Sequence, residues 1–525
     1  MKNMYVKNIL LVLIGLILLK QLLWISYIPV WQFPDEQAHF GQIQNVAEKN
    51  SFALTLNTSE EILTSEVLLK TKRDGFGNNS YTYHPKFNIE YTDSTNGLHE
   101  ATIKNISVTA RKKLVVNEAT FYPPLYYQLG AVFYSLVYYQ DLFTRIISVR
   151  FLNLLLFIGL VFATYLAAKV VFPDKRILVI TLTLLVGFHP MLSFVASGVT
   201  SDNLFNLLFT IGLYLSLKVL QQGLRLPLLV GMLIILILSY LTKPQVYILM
   251  FVYSFPLMYG FLKKKTYKKE ILFVTITAFI LILVPLTRKL LTGNQFIPEI
   301  PNFQKVITSK NISFVDHAVF TLKHTYREVL PWYWGVFRWL SLTYPRVTHR
   351  LLNITTLVSI LGLVVYVYDW IKHRRLLVQP KYFLFLMFAS MGYFAALLIY
   401  DYLFRLTYTF SFGIQGRYFF PVIVAHMTLL LLGILTIAQR LKVTEIVAKL
   451  LGVGMIVLHI YAFLFVNSSY FGHLLSADYY LKASQYKPGF LKSPNLEFIL
   501  IAFLMYTILF INKFKSMSIK QHETS

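Results

Sequence analysis

The sequence contains no cysteine. Disulfides, thiolate metal sites, iron–sulfur clusters and cysteine nucleophiles are therefore excluded together. Charge is scarce as well. Only 14% of the 525 residues are Asp, Glu, Lys or Arg, where a soluble globular protein carries about 25%. With 56% of the residues hydrophobic, too few polar side chains exist to cover the core they would form. An ordinary soluble domain is excluded, and so is a disordered chain, which is poor in apolar residues. Acids are scarcest of all: 24 Asp and Glu stand against 49 Lys and Arg, a net charge of +25. Internal repeats, coiled-coil heptads and low-complexity tracts are missing. A surplus of +25 is compatible with nucleic-acid binding until its placement is known.

What is present is long apolar runs. A helix that spans the hydrocarbon core needs about 20 of them in a row. Such runs occur at about 8–29, 147–171, 177–197, 203–221, 226–242, 244–262, 270–290, 352–371, 381–401, 417–437, 446–467 and 496–513. The spacing predicts an all-α polytopic membrane protein with about twelve spans. The first run is long and no small-residue cleavage site follows it, so it reads as an anchor rather than a signal peptide.

The basic residues orient these spans. Lys2 and Lys7, Lys175-Arg176, Lys263 to Lys265 with Lys268 and Lys269, Lys372 with Arg374 and Arg375, Arg440 and Lys442, and Lys513, Lys515 and Lys520 all fall on one side. Short cytoplasmic loops carry such an excess. A multi-pass plasma-membrane protein with its N-terminus in the cytoplasm is expected, and no nucleic-acid partner. Residues 121–139 are apolar and about long enough to cross, but a crossing there would move every later cluster outside. They are expected to form a re-entrant or membrane-lying helix, which is tolerated where protein covers it; a thirteenth span is the alternative. The organisation is then 1–29 anchor, 30–146 outer loop with juxtamembrane helices, 147–290 central membrane module, 291–351 aromatic outer loop, and 352–525 C-terminal membrane module.

The densest polar group follows the first span: Pro34-Asp35-Glu36-Gln37-Ala38-His39. Asp35 suits a helix start, where a carboxylate meets the positive end of the dipole. Asp35 and His39, four apart, would share a face. An acid and a histidine so placed can act as general base and orienter, or as metal ligands; a simple helix cap is the plainer alternative. Arg145 and Arg150 lie on the expected outer side, against the charge rule, and need an anionic partner, a phosphate or lipid head groups. Asp202, in Ser201-Asp-Asn203, is a further acid at a helix start or a cap. Lys243 is a lone cation at a membrane boundary, a phosphate contact or a snorkelling side chain. Arg417 enters a span behind Gly416, where backbone or ligand can approach closely. Ionisable residues within spans are functional candidates, because their burial is costly. Trp332, Trp334, Trp339 and their neighbours would stack on sugars or form an interfacial girdle.

PDEQAHF at 34–40, Ser-Asp-Asn at 201–203, LTKPQ at 241–245, WGVFRWLSLTYP at 334–345 and QGRYFFP at 415–421 resemble a bacterial membrane family called domain of unknown function 2142. One span, a Pro-Asp-Glu motif opening a large outer loop, and a Pro-Pro-Leu-Tyr-Tyr helix carrying Tyr126 resemble the GT-C superfamily, in which the family is placed near the protein mannosyltransferase-like enzymes. The resemblance implies a glycosyltransferase taking sugar from a polyprenyl phosphate, with a cell-wall or lipid-linked glycan, or a protein, as acceptor. It implies Asp35 as catalytic base, with Glu36 as its acidic neighbour, and donor-phosphate contacts at Lys243 and Arg417. Three departures stand out: Tyr122-Pro-Pro replaces His-Pro-Pro, Ser-Asp-Asn replaces Asn-x-Asp, and Arg338 stands where a Gly usually precedes the Trp. No organic cofactor is implied. A divalent metal is possible, but one Asp-Glu pair is a thin site for a hard cation, so no metal site is expected. The other function classes are a transporter or flippase, and a polymerase of lipid-linked saccharides.

Overall fold

The computed structural model describes residues 2–49, 57–72, 95–116, 122–263, 312–408, 410–476 and 478–517. Eleven of the twelve expected spans coincide with helices, and the run at 270–290 lies outside the described residues. The helices are α1 (Lys2–Tyr27), α2 (Glu36–Lys49), α3 (Glu60–Leu68), α4 (Thr95–Lys104), α5 (Val108–Lys112), α6 (Leu125–Leu136), α7 (Leu142–Val171), α8 (Arg176–Gly187), α9 (Pro190–Val195), α10 (Asp202–Gln222), α11 (Leu226–Tyr240) and α12 (Val246–Lys263). There follow α13 (Phe314–His324), α14 (Leu330–Trp334), α15 (Arg346–Ile371), α16 (Pro380–Tyr408), α17 (Ile423–Arg440, entered through a 3-10 turn at Gly416–Val422), α18 (Thr444–Phe471), α19 (Tyr479–Ala483) and α20 (Asn495–Lys515). Among the described residues, seven helices are long and apolar enough to cross a membrane unaided. Sheet is confined there to two short antiparallel pairs, β1 (Asn57–Ser59) with β2 (Leu114–Val116), and β3 (Val336–Phe337) with β4 (Leu342–Thr343).

The segment at 121–139 does not add a span. Its helix α6 has 12 residues, about 18 Å at 1.5 Å per residue, too short for a core about 30 Å thick. Pro123 and Pro124 precede it, and a turn at Val137 ends it. It lies against α2 and α7, as a juxtamembrane helix would, while Phe121 lies outside the described residues.

The run at 177–197 is broken. Pro190 has no N–H to give, so α8 stops at Gly187 and α9 restarts with His189 as its cap, the Nδ1 accepting from the Leu192 N–H at 3.3 Å. The carbonyls exposed by such a break need donors. Lys20 supplies one, donating from Nζ to the Gly187 oxygen and Ser193 Oγ, each at 2.8 Å, and Gln21 donates to the Ser193 oxygen at 2.9 Å. His189 thus sits at a break within this apolar run.

The bundle has two distinct ends. Lys175 donates to the Leu377 oxygen at 2.9 Å, Lys381 to the Leu220 oxygen at 2.8 Å, and Lys449 to the Lys515 oxygen at 2.9 Å, while Arg440 pairs with Asp369 at 2.6 Å. These contacts gather the basic ends of α7, α10, α15, α17 and α20 at one end. The polar segments after α1 and α9, before α12 and before α17 meet at the other. Between the ends, α15 and α17 touch backbone to backbone. A Cβ at Gly362 would lie 1.9 Å from the Gly433 carbonyl oxygen, and one at Gly433 would lie 2.1 Å from that of Ser359. Small residues permit such helix crossings where lipid supplies no hydrophobic drive.

Candidate active site

The chain must turn from α1 into α2 within a few residues. Trp31 and Asp35 both take φ of 63° to do so. Asp tolerates that left-handed conformation better than Trp, so Trp31 requires restraint. Its N–H donates to Glu36 Oε2 at 3.0 Å, its indole N–H to Ser65 Oγ at 2.9 Å, and its carbonyl accepts from the Trp339 indole at 2.6 Å. The turn that results carries Asp35 to the head of α2.

Asp35 meets Arg417, whose Nη2 donates to Oδ2 at 2.9 Å. Arg417 is brought there by the 3-10 turn, which packs flush on α14: a Cβ on Gly416 would fall 2.2 Å from the Tyr333 nitrogen. Of the two close approaches foreseen at Gly416, backbone is the one realised. Beside this pair, Asp202 at the first position of α10 is ion-paired with Lys243, which sits between α11 and α12. His39 closes the group. Its Nε2 lies 3.3 Å from Thr200 Oγ1, its Nδ1 3.1 Å from the Tyr127 hydroxyl, and its ring stacks on Tyr122. Thr200 Oγ1 also accepts from the Asp202 N–H at 3.3 Å. Lys243 Nζ stands 4.3 Å over the Tyr122 ring, and Arg417 stands 5.6 Å over Tyr418.

The exposure is asymmetric. The two cations are nearly covered, at 6% for Lys243 and 7% for Arg417, while Asp202 and Asp35 retain 24% and 28%. A ligand entering this cluster meets carboxylates first and finds the cations behind them. Burial, then the nearby Lys243 charge, lowers the His39 pKa to about 4, so the imidazole is neutral at ordinary pH. Burial acts to discharge Lys243, but the Asp202 carboxylate outweighs it and raises the lysine's pKa above its usual value. Among the described residues no three His, Cys, Asp or Glu side chains gather as a metal site would require. Each carboxylate of the cluster is instead paired with a cation.

Four expected site residues stand elsewhere. Glu36 is fully buried, not turned to an acceptor: its Oε1 accepts from Arg150 Nε at 2.8 Å and the Val199 N–H at 3.2 Å, and its Oε2 from Arg150 Nη2 at 2.7 Å and Trp31. Arg150 thereby finds its anion inside the protein. It also donates to the carbonyls of Ile25, Ile28 and Pro29, where a cation complements the end of the α1 dipole. Arg145 is likewise occupied, by Glu61 at 2.5 and 3.1 Å and by the Tyr134 hydroxyl at 2.6 Å. Both arginines are thus engaged by carboxylates of the protein itself. Tyr126 is buried beneath the cluster, donating to Asn153 Oδ1 at 3.0 Å. Trp334 and Trp339 are also internal, while Trp332 is half-buried. Trp334 stacks on His189 at 5.0 Å, and Trp339 braces Trp31.

The model of the family described as predicted membrane protein (DUF2142) matches residues 18–426. The chain belongs to that family. Every member of the cluster, from Asp35 to Tyr418, lies within the matched span. No curated protein matches the chain. Two solved structures do, both of ArnT from Cupriavidus metallidurans. The one bound to undecaprenyl phosphate is 13% identical, with a TM-score of 0.42, covering 98% of this chain and 77% of that one. The apo form is 12% identical, with a TM-score of 0.41, covering 98% and 76%. At this distance no residue correspondence is taken from either. Thr200, Tyr418 and Glu61 were not singled out by sequence. Thr200 and Tyr418 are uncharged and left no signal beyond adjacency to Asp202 and Arg417. Glu61 had one: two outward arginines required acids, and Glu60-Glu61 in the same loop supplies them.

Proposed function

We propose that this protein is a membrane glycosyltransferase. It moves a sugar from a polyprenyl-phosphate donor to an envelope acceptor on the outer face, with Asp35 as general base. The observation that carries this reading is the cluster itself: two partly open carboxylates in front of two buried cations, assembled from α2, α10, the α11–α12 connection and the turn before α17. Cations behind and a base in front suit a displacement at the sugar carbon next to phosphate. Lys243 and Arg417 hold the phosphate, and Asp35 takes the proton of the incoming hydroxyl. His39, neutral and fixed by Tyr127 and Thr200, shapes the wall beside Asp35. Glu36 and Arg150 keep the Asp35 turn in place. The donor class is the one implied by the sequence resemblance, and the acceptor is a cell-wall polymer, a lipid-linked glycan or a protein.

A transporter predicts polar groups around broken helices in mid-membrane. The break between α8 and α9 is of that kind, but Lys20, Gln21, Ser193 and His189 there are buried and bonded to one another or to backbone. The decisive experiment compares envelope glycans from cells with wild-type protein, with Asp35→Asn and with none. The expected outcome is a saccharide that depends on the protein and is lost in Asp35→Asn at unchanged protein level. A full glycan profile in the variant would sink the assignment of Asp35.

A further inference from the structure

Before a ligand enters, the charges of the cluster balance. Asp35 and Asp202 contribute two negative charges, Lys243 and Arg417 two positive ones, and His39 is neutral. Among the described residues, the groups around Asp35 include Arg417 and Tyr418 from the turn before α17, His39 from α2, Asp202 from α10, Lys243 from the α11–α12 connection, and Tyr122 from the start of α6. Tyr400 of α16 faces Tyr122 and Tyr418 behind them. A donor phosphodiester adds one negative charge. The phosphomonoester left after transfer carries close to two at pH 8, since its second pKa is about 6. The leaving group therefore ends with more charge than the cluster first received, and among the described residues of the cluster both cations, Lys243 and Arg417, are already paired with carboxylates.

Arg417 is placed to supply it. One nitrogen, Nη2, is engaged by Asp35. Its Nε is buried without a hydrogen-bond partner, although the guanidinium offers five donors in all. We propose that Arg417 is handed from Asp35 to the leaving phosphate as Asp35 takes up the acceptor proton. The inference rests on the transferase reading above. In the step, the acceptor O–H bond breaks and its proton goes to the Asp35 carboxylate. The acceptor oxygen bonds to the sugar C1 from the face opposite the phosphate. The C1–O bond to phosphate breaks and its electron pair stays on the phosphate oxygen. Total charge is unchanged, but one negative charge has moved from Asp35 to the phosphate. The cation paired with Asp35 thereby becomes the cation that stabilises the leaving group. The ion pair couples base to leaving group without any new charge entering the site.

The product half of this exchange can be measured without knowing sugar or acceptor. Undecaprenyl phosphate is titrated into the purified full-length protein in detergent at pH 8, in two buffers of different ionisation enthalpy, so that calorimetry counts protons. The wild-type protein is expected to take up about one proton per phosphate bound. Asp35→Asn is expected to take up none and to bind about 10⁴-fold tighter, one decade for each of the roughly four pK units between an ordinary Asp pKa of about 3.9 and pH 8, because Arg417 is no longer contested. Asp202→Asn keeps the uptake, which separates Asp35 from a general change of charge. Arg417→Gln binds about tenfold more weakly or worse. Binding by the wild-type protein without proton uptake, uptake that persists in Asp35→Asn, or weaker binding by Asp35→Asn would each overturn the hand-off alone. Absence of binding by the wild-type protein would overturn the lipid-phosphate reading and the hand-off together.

Discussion

Asp35 and Glu36 are adjacent acids with opposite circumstances, and their substitution separates site from scaffold. Glu36 has both oxygens committed to Arg150 and to two backbone N–H groups. Glu36→Gln leaves the Arg150 charge buried without its carboxylate, which typically costs about 3–5 kcal/mol. Asp35, at 28% exposed, meets its arginine through one bond, at 2.9 Å, and Asn can still accept there, so its substitution costs less than that of Glu36. Thermal unfolding in detergent should therefore fall sharply for Glu36→Gln and little for Asp35→Asn. Comparable losses would mean that Asp35 is a scaffold residue too. His39 makes a pH prediction. Its folded pKa, about 4, lies below the ordinary value of 6.5. The unfolded chain therefore binds the proton more readily, and the stability from neutral His39 is complete above pH 6.5 and is lost as pH falls towards 4. The full difference is about 3 kcal/mol at 1.36 per unit. His39→Gln should flatten the fall in unfolding temperature between pH 6.5 and 4.5 relative to wild type. Identical slopes would count against a buried neutral His39. At this scale the sequence was legible wherever a charge interrupted an apolar setting, as at Asp35, Asp202, Lys243 and Arg417. It misled where the partner was distant. Arg145 and Arg150 announced a need for an anion, but Glu61 and Glu36 lie 84 and 114 residues away, so the need was legible and the pairing was not.

Elements show where local pattern and tertiary packing part company. Apolar length found the spans, and parity of the basic clusters placed α6 outside their number. The turn between β3 and β4 was invisible, because Arg338, Trp339 and Leu340 take φ of 49°, 52° and 65°, a conformation that no propensity favours. Each such residue costs about 1–2 kcal/mol, so the turn persists only because its contacts impose it. Arg338 donates to the Ser469 oxygen at 2.9 Å, and Trp339 donates to the Trp31 oxygen at 2.6 Å. The second bond links one strained turn to the other, the one that delivers Asp35. Trp339→Phe keeps an aromatic side chain but deletes the indole donor, stranding a buried carbonyl at a cost of about 1–3 kcal/mol, to which the smaller ring adds a packing loss. Stability should fall by at least that amount, and the protein-dependent envelope glycan should fall with it. Loss of stability with a full glycan yield would show that the brace does not position Asp35. The α15–α17 crossing gives a harsher case. Gly433→Ala has no space, since the Ser359 carbonyl is already 2.1 Å from the new Cβ, and the helices must separate. Overpacking of this kind costs about 1–3 kcal/mol or more, which should appear as a lower unfolding temperature than that of Gly454→Ala on α18, where nothing lies within 4 Å.

For the whole molecule, the +25 resolves into two populations with different work. Lys243 and Arg417 are buried at one end with acids, and the clusters headed by Lys175, Lys372 and Arg440 lie at the other end. The belt between them is apolar on its outside: Ile354, Leu357, Ile360, Leu361 and Val364 of α15 are each more than half exposed. Such a surface would drive aggregation in water and is ordinary against lipid tails. A basic end, an apolar belt and a site end together make sidedness a testable property. The rule that Lys and Arg are retained in the cytoplasm predicts the basic end inside and the Asp35 cluster at the outer surface, where the proposed envelope acceptor would arrive. The cysteine-free chain allows a direct check. Tyr139, at the end of the α6 segment, is 92% exposed, and Lys372, after α15, is exposed as well. In intact cells, Tyr139→Cys should react with a membrane-impermeant maleimide while Lys372→Cys should react only after the membrane is opened. The reverse pattern would turn the molecule over, put the cluster in the cytoplasm and end the case for an outer acceptor. Labelling of both positions in intact cells would mean that α15 and α6 do not end on opposite sides, and would break the parity on which the span order rests.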